Sequence, residues 1–259
     1  MISLQSVADI SIMKEGGKKL WNILQKLLQE SVPGVSLQEI ERHACTYIEH
    51  AGGTPSFTTV KGYKWATCLC VNDQIVHGIP SPYVLKEGDV FTIDVGMVYK
   101  GFHTDNAWTQ IIKTQNSKIT NQNYKEKERF LRVGEETLKK AIQAAKAGNR
   151  VGNISLIIQE MITEAGYDIV QSLTGHGVGK KLHQDPMIPG FLDRPLEKTQ
   201  ILTAGMTLAI EIIYAEGRGD IVYSNDDGWT IATKDRSLSA VFEQTIAINE
   251  KETIVLTGS

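Results

Sequence analysis

Four acidic residues stand in runs that otherwise want burial. Asp94 closes Phe91-Thr92-Ile93 and precedes Val95-Gly96, and Glu211 lies within Leu208-Ala209-Ile210-Glu211-Ile212-Ile213. Glu243 follows Ala240-Val241-Phe242, and Asp105 ends Gly101-Phe102-His103-Thr104-Asp105 at the start of a returning strand. A buried carboxylate without a partner costs several kcal/mol, or it takes up a proton. One such acid is most simply a salt bridge or a hydrogen-bonded turn. Four of them, with no Arg or Lys beside them in the strands, need positive charge from elsewhere. A metal ion supplies it most economically.

The histidines point the same way. His43 and His50 fall on the polar side of a helix and read as solvated. His103 alternates away from Thr104 and is not expected to be a ligand. His77, His176 and His183 sit in HGIP, TGHGVG and LHQDP, where neighbouring glycine and proline mark loops that approach a ligand closely. Singly, each fits a capping or core role as well as a functional one; together with four buried acids they favour a site. Two Asp, two Glu and one His make an oxygen-rich set that suits two divalent ions bridged by carboxylates about 3.5–4 Å apart. The chemistry implied is metal-assisted hydrolysis, in which bound water is acidified, a carbonyl polarised and the oxyanion stabilised. Nucleophilic Ser chemistry has no G-x-S-x-G to support it. Gly175-His176-Gly177-Val178-Gly179 is neither a Walker A loop nor a dinucleotide fingerprint.

The elements that must position these residues are legible in outline. Apolar residues at three- and four-residue spacing predict a helix from about Ser6 to Gln29, stopped by Pro33-Gly34. Ser36 with Glu39 forms a capping-box pattern that opens a second helix to about His50. Strand-like sequence runs from Phe57 to Val76, then Val90–Tyr99 and Thr104–Ile112, the last two joined at Lys100-Gly101. Lys113–Lys127 is polar and reads as a linker. Two more helices are expected, Glu128–Ala147 and Ile154–Ala165, then strands over Thr207–Tyr214, Trp229–Ala232 and Ala240–Asn249.

The two halves repeat each other. LKEGDVFTID, ending at Asp94, matches LTAGMTLAIE, ending at Glu211, so that Leu85 pairs with Leu202, Gly88 with Gly205 and Ile93 with Ile210. A single domain spanning 1–259 is therefore expected, built of two pseudo-repeats (about 1–112 and 128–259) joined by 113–127. Duplicated halves commonly build one site where they meet. Composition narrows the class further. Over 259 residues the net charge is −3, which removes the electrostatic case for a nucleic-acid binder. No apolar run approaches a membrane span. Three cysteines, Cys45, Cys68 and Cys70, cannot form a disulfide framework, and a reducing cytoplasmic location is expected.

These motifs, with PSF near Phe57, VND…HGIP, GFHTD, DGWT…KDRSLSA and FEQTI in order along nearly the whole chain, resemble the type I, bacterial-like methionine aminopeptidases. The resemblance implies an α+β fold, the pseudo-twofold "pita-bread" arrangement of antiparallel sheets covered by helices. It implies that Asp94, Asp105, His176, Glu211 and Glu243 hold two divalent ions (Co, Mn, Fe, Zn or Ni), with Asp105 and Glu243 bridging. Catalytic roles fall on Glu211 as proton shuttle, His77 near the leaving amide and His183 at the scissile carbonyl. Phe57, Tyr63, Cys68, Leu182 and Trp229 match the methionine pocket, although ordinary core packing is the plainer reading of those five. A monovalent cation is implied near Asn72 and Ser239. The partners implied are the N-termini of peptides and nascent proteins, met at the ribosome, with a monomer acting on a small second residue.

Type I is favoured because Glu211 and Glu243 are only 32 residues apart, where type II enzymes carry an insertion. The chain departs from the pattern at Ile212 (commonly Pro), Gln244 (commonly His) and Val60 (often Tyr). Prolidase and aminopeptidase P share the metal set but usually add an N-terminal domain for which there is no room here. A non-catalytic pita-bread binding protein would typically have lost ligands, and all five positions are filled.

Overall fold

The computed structural model describes residues 2–114 and 122–258. Helix α1 (Val7–Glu30) begins where Ser6 accepts a hydrogen bond from the Asp9 amide and the Asp9 carboxylate accepts one from the Ser6 amide. The same reciprocal cap, Ser36 with Glu39, opens α2 (Leu37–His50). The first half continues with β1 (Thr54–Pro55), β2 (Thr67–Val71), β3 (Gln74–Val76), β4 (Val90–Tyr99) and β5 (Phe102–Ile111). The second opens with α3 (Gln122–Ala144) and α4 (Val151–Glu164), followed by β6 (Asp168–Ile169), β7 (Thr174–Gly177) and β8 (Gln184–Pro189). It ends with β9 (Thr207–Ala215), β10 (Ile221–Tyr223), β11 (Ile231–Thr233), β12 (Ser239–Ile248) and β13 (Thr253–Val255).

Of the boundaries that differ from the sequence reading, three have a physical cause in the local contacts. Helix α3 starts at Gln122, inside the segment read as a linker, because Tyr124 is buried and gives the first turn a tertiary anchor. Residues 115–121 of that segment lie outside the described residues. Helix α4 starts at Val151, where the Asn153 side chain accepts from the Arg150 amide at 2.8 Å and makes the cap that periodicity alone passes over. Strand β5 starts at Phe102 because Lys100 and Gly101 both take positive φ (49° and 84°), the two-residue turn that matches strand twist. Phe102 is thereby paired opposite Tyr99.

Two antiparallel sheets carry the site. In one, β4 lies between β1 and β2 on one side and β5 on the other; in the second the order is β13-β12-β9-β7-β8, with β6 on β9. A small sheet, β10-β11-β3, links the halves. Leu20, Leu24 and Leu27 of α1 and Ile40 and Ile48 of α2 pack with Leu69, Phe91 and Ile93 beneath the first sheet. Phe130 and Leu138 of α3 and Ile154 and Ile158 of α4 pack with Leu208, Ile210 and Phe242 beneath the second. The helices thus cover the outer sheet faces, which is the fold expected from the resemblance.

The seam between β5 and β12 is stitched by hydroxyls in a twofold pattern. Thr109 of β5 accepts from the Val241 amide and donates to its carbonyl at 2.9 and 2.8 Å. Thr245 of β12 does the same to Asp105, at 2.9 and 2.8 Å. Trp108 meets Phe242 edge-on beside this seam, with ring centroids 5.1 Å apart. Among the described residues no helix is long and apolar enough to cross a membrane.

Candidate metal centre

The strands bring the five predicted ligands to one place. Asp94 lies mid-strand in β4, opposite Ala107 of β5 and Cys68 of β2. Asp105 lies on β5 opposite Gly96, and His176 lies on β7 opposite Ala209 and Met187. Glu211 and Glu243 are direct cross-strand partners on β9 and β12, an arrangement that like charges disfavour unless a cation lies between them. Donor atoms of Asp105, His176 and Glu243 all fall within 4.8 Å of one another. Glu211 Oε1 stands 3.4 Å from His176 Nε2, and the Asp94 and Asp105 carboxylates interact directly. Gly96 makes the approach possible: a Cβ there would lie 2.7 Å from the Ser56 Cβ, 2.8 Å from the Phe57 ring and 3.2 Å from Asp105 Oδ1. Any side chain at that position would push the pocket wall and the ligand apart.

The electrostatics of the cluster call for positive charge. Burial pushes Asp105 up to about 7. Asp94, Glu211 and Glu243 are raised well above the carboxylate range, each first by burial and then by the charge of Asp105. His176 is driven down to about 4 by burial and by nearby His183, so it is neutral at pH 7. Its Nδ1 faces the Gly177 carbonyl at 2.9 Å, and since a carbonyl only accepts, the proton sits on Nδ1. Nε2 is left with a lone pair aimed at Glu211. Two acceptors facing one another at 3.4 Å need a cation or a proton between them.

A divalent metal fits this set. Asp94 Oδ1 and Glu243 Oε1 are buried without a hydrogen-bond partner in the protein, as ligand oxygens turned toward an ion would be. The Nδ1–H to carbonyl bond on His176 is the outer support that orients a ligating imidazole. Four carboxylates and one imidazole, with no thiolate among them, form a hard donor set.

His77, His183 and the five predicted pocket residues line the same cavity of ≈330 Å³ as the five ligands, whereas Asn72 and Ser239 do not. Phe57, Tyr63, Cys68 and Leu182 form a buried apolar cluster, with Val60 and Trp229 packed on it. Tyr63 meets Trp229 and Phe57 edge-on at 5.1 and 6.4 Å. The Tyr63 hydroxyl donates to the Thr67 carbonyl at 2.8 Å and lies 3.3 Å from Cys68 Sγ. His77 takes φ 58° directly after β3, a left-handed conformation uncommon outside glycine that histidine adopts more readily than most side chains. Burial, then the charge of His183, lowers its pKa. The ring of His183 packs edge-on against His176, centroids 4.4 Å apart, while its residue stays exposed at the cavity mouth. Asn72 and Ser239 are also brought together, and there the Ser239 amide donates to the Asn72 carbonyl at 2.9 Å.

Several features were not read from the sequence. Val76, Leu173, Met187 and Ile213 also line the cavity. Period-two alternation on β9 could have found Ile213, two residues beyond Glu211; nothing local marks Met187, which reaches the site only by pairing with His176. His43 is not simply solvated: its Nδ1 lies 2.9 Å from Glu30 Oε2. His50 is exposed. His103 is buried with Nδ1 2.5 Å from Ser56 Oγ, and it is not among the clustered donor atoms.

A chain with this fold and this donor set matches the model of metallopeptidase family M24 over residues 11–250, and it belongs to that family. As an M24 metallopeptidase it is a hydrolase of peptides that depends on divalent metal. Within the family it groups with the methionine aminopeptidases. It is 38% identical to the methionine aminopeptidase of Clostridium perfringens over 248 residues, covering 96% of this chain and 95% of the relative. It is 37% identical to methionine aminopeptidase 1 of Bacillus subtilis, covering 99% of each. The crystal structure of the methionine aminopeptidase from Thermotoga maritima superposes over 100% of both chains with a TM-score of 0.92 at 38% identity. Prolidase from Pyrococcus furiosus, with a TM-score of 0.75 at 22% identity over 65% of its length, shares the fold alone.

Proposed function

We infer that this chain removes N-terminal methionine from peptides and nascent proteins whose second residue is small, with two divalent ions held by Asp94, Asp105, His176, Glu211 and Glu243. The single observation that carries the reading is one cavity lined at once by Asp94, Asp105, Glu211 and Glu243 with His176 and by the apolar cluster of Phe57, Tyr63, Cys68 and Leu182. An unbranched, polarizable methionine side chain suits an aromatic wall with a sulfur beside it. When bound, the ions supply Lewis acidity and a water acidic enough to attack at neutral pH.

The protein's own groups do the rest. Glu211 would take the proton of the attacking water on a carboxylate oxygen and return it to the leaving amide nitrogen. His183, open to the mouth, would donate to the scissile carbonyl, and His77 would hold the amide side of the bond. The ligands and His183 crowd the scissile position, so a large second side chain would clash with groups that cannot give way. Steric exclusion of that kind discriminates more strongly than a methylene in an apolar pocket, worth about 1–3 kcal/mol.

The test is a competition among Met-Ala, Met-Gly, Met-Lys and Met-Leu peptides and one X-Pro peptide, with Mn²⁺ supplied. Release of free methionine from the first two, and scarcely any from the rest, is expected. Preferred cleavage before proline with indifference to the first residue would move the chain to the prolidase-like reading.

A further inference from the structure

The two residues that follow the bridging acids hang their side chains on one backbone carbonyl. Asn106, next to Asp105, donates from Nδ2 to the Thr257 carbonyl at 3.2 Å. Gln244, next to Glu243, donates from Nε2 to the same oxygen at 2.9 Å. A carbonyl oxygen only accepts, so both amides must present nitrogen, and their orientation is settled. Neighbouring residues on a strand point to opposite faces, so the amides reach away from the site while the acids reach into it.

The Thr257 hydroxyl closes the figure. It accepts from the Thr245 amide at 2.8 Å and lies 3.5 Å from the Asp105 carbonyl. Thr245 in turn holds both backbone groups of Asp105. Thr257, Thr245 and Asn106 are all fully buried. The preceding Leu256 is seated against α1 at Gly17, where a Cβ would lie 2.4 Å from the Leu256 carbonyl oxygen. The segment after β13 is therefore a crossbar, anchored on a helix and tied to both acid-bearing strands. Among the described residues no backbone ladder joins β5 to β12, so side-chain hydroxyls and this crossbar are what hold Asp105 and Glu243 at a fixed spacing against their mutual repulsion.

We propose that Thr257 is a positioning residue: its segment, gripped by Asn106 and Gln244, sets the separation of Asp105 and Glu243 and with it the affinity for divalent metal. The inference rests on the assignment of those two acids as metal ligands. Outer partners of metal ligands typically govern 10–100-fold in metal affinity.

The experiment titrates chelator-stripped protein with Mn²⁺ by calorimetry and records the visible absorption of the Co²⁺-loaded form. Thr257→Val and Gln244→Met, which keep size and remove one hydrogen-bonding group, should each weaken Mn²⁺ binding roughly 10–100-fold and alter the Co²⁺ spectrum. For Met-Ala-Ser they should lower kcat more than they raise KM. Gln244→His, which retains an N–H donor, should recover most of the affinity. Should Thr257→Val fail to fold, Gln244→Met decides alone, because that side chain is only half-buried. Mn²⁺ affinity within twofold of the parent and an unchanged Co²⁺ spectrum in folded variants would overturn the proposal. Glu243→Ala is run beside them: if it also keeps its metal, the ligand assignment itself has failed, whereas if it alone loses metal, only the crossbar has.

Discussion

Neutralising one of the four acids should stabilise the metal-free protein while abolishing its response to metal. Asp105→Asn is the most informative substitution, because the amide keeps the shape and its oxygen still accepts from the Asn106 amide, as Asp105 Oδ1 does at 3.1 Å. The folded carboxyl sits at about 7, up from an ordinary 3.8, chiefly through burial. Because the folded value is the higher one, the metal-free protein holds a proton that the unfolded chain has released over this interval. Its stability is full below about 4 and is lost as pH rises through about 7. A roughly thousandfold difference in proton affinity is on the order of 4 kcal/mol, all of it felt above pH 7. Relief is shared with Asp94, Glu211 and Glu243, each of which the Asp105 charge also raises. At roughly 2–4 °C per kcal/mol for a chain of this size, the variant should melt about 8–16 °C above the parent at pH 8 in EDTA. The assay is thermal unfolding by circular dichroism from pH 5 to 9, with EDTA or with Mn²⁺. The parent should lose Tm with rising pH in EDTA and regain it with Mn²⁺; the variant, in which burial still raises Asp94, Glu211 and Glu243, should lose less and regain none. A variant less stable than the parent at pH 8 in EDTA, or a parent whose Tm ignores Mn²⁺, would show that the acids do not repel across an ion site.

Three further outcomes follow from the same geometry. His183→Ala should lower kcat/KM for Met-Ala-Ser by roughly 10²-fold with Mn²⁺ content unchanged by elemental analysis; loss of metal would place His183 among the ligands. Trp229→Ala, which removes the ring lying 5.1 Å from Tyr63, should cut the preference for Met over Leu or Phe at the first residue about tenfold in a two-peptide competition. Unaltered preference would remove Trp229 from the pocket. Gly134→Ala should destabilise by about 1–3 kcal/mol in urea, despite the better helix former, because the new Cβ would fall 2.5 Å from the Phe242 ring and 2.6 Å from the Tyr214 hydroxyl.

What the sequence made legible divides along physical lines. The capping box at Ser36 is local chemistry, and α2 begins where it says; the Ser6–Asp9 box that opens α1 was not read, although periodicity put the start of that helix close to it. Acids embedded in apolar strands are anomalous under any fold, so Asp94, Glu211 and Glu243 stand out without one. Long-range contacts were invisible without the family. Nothing in the sequence near His43 announces Glu30, since the pairing depends on how α1 and α2 pack. The buried partnership of His103 with Ser56 depends on the turn before Phe57. The start of α3 was read too late because Gln122–Lys127 has a single apolar anchor, Tyr124, whose burial is tertiary. Thr245 and Thr257 carried no signal either, because threonine in a strand needs no explanation until its hydroxyl is seen replacing a ladder bond.

The site lies at the seam of the two sheets, and it is not symmetric with respect to the repeat read in the sequence. The repeat equates β4 with β9 and Asp94 with Glu211. Following the ladders across, Asp94 faces Ala107 whereas Glu211 faces Glu243. Asp105 faces Gly96, and the matching place in the second half holds Val241 opposite Ile213. Each half thus contributes two acids, but the second acid sits at a different ladder position in each, and His176 comes from the second half alone. If both halves had kept the same pattern, like charges would have met like charges about a true axis, with no imidazole on either side. Staggering the acids by one ladder step spreads the charge along the seam and leaves Asp105, Glu243 and His176 converging from three strands within 4.8 Å. The scaffold keeps its twofold stitching through Thr109 and Thr245, while the donor set it carries has departed from that symmetry to hold charge that neither half could hold alone.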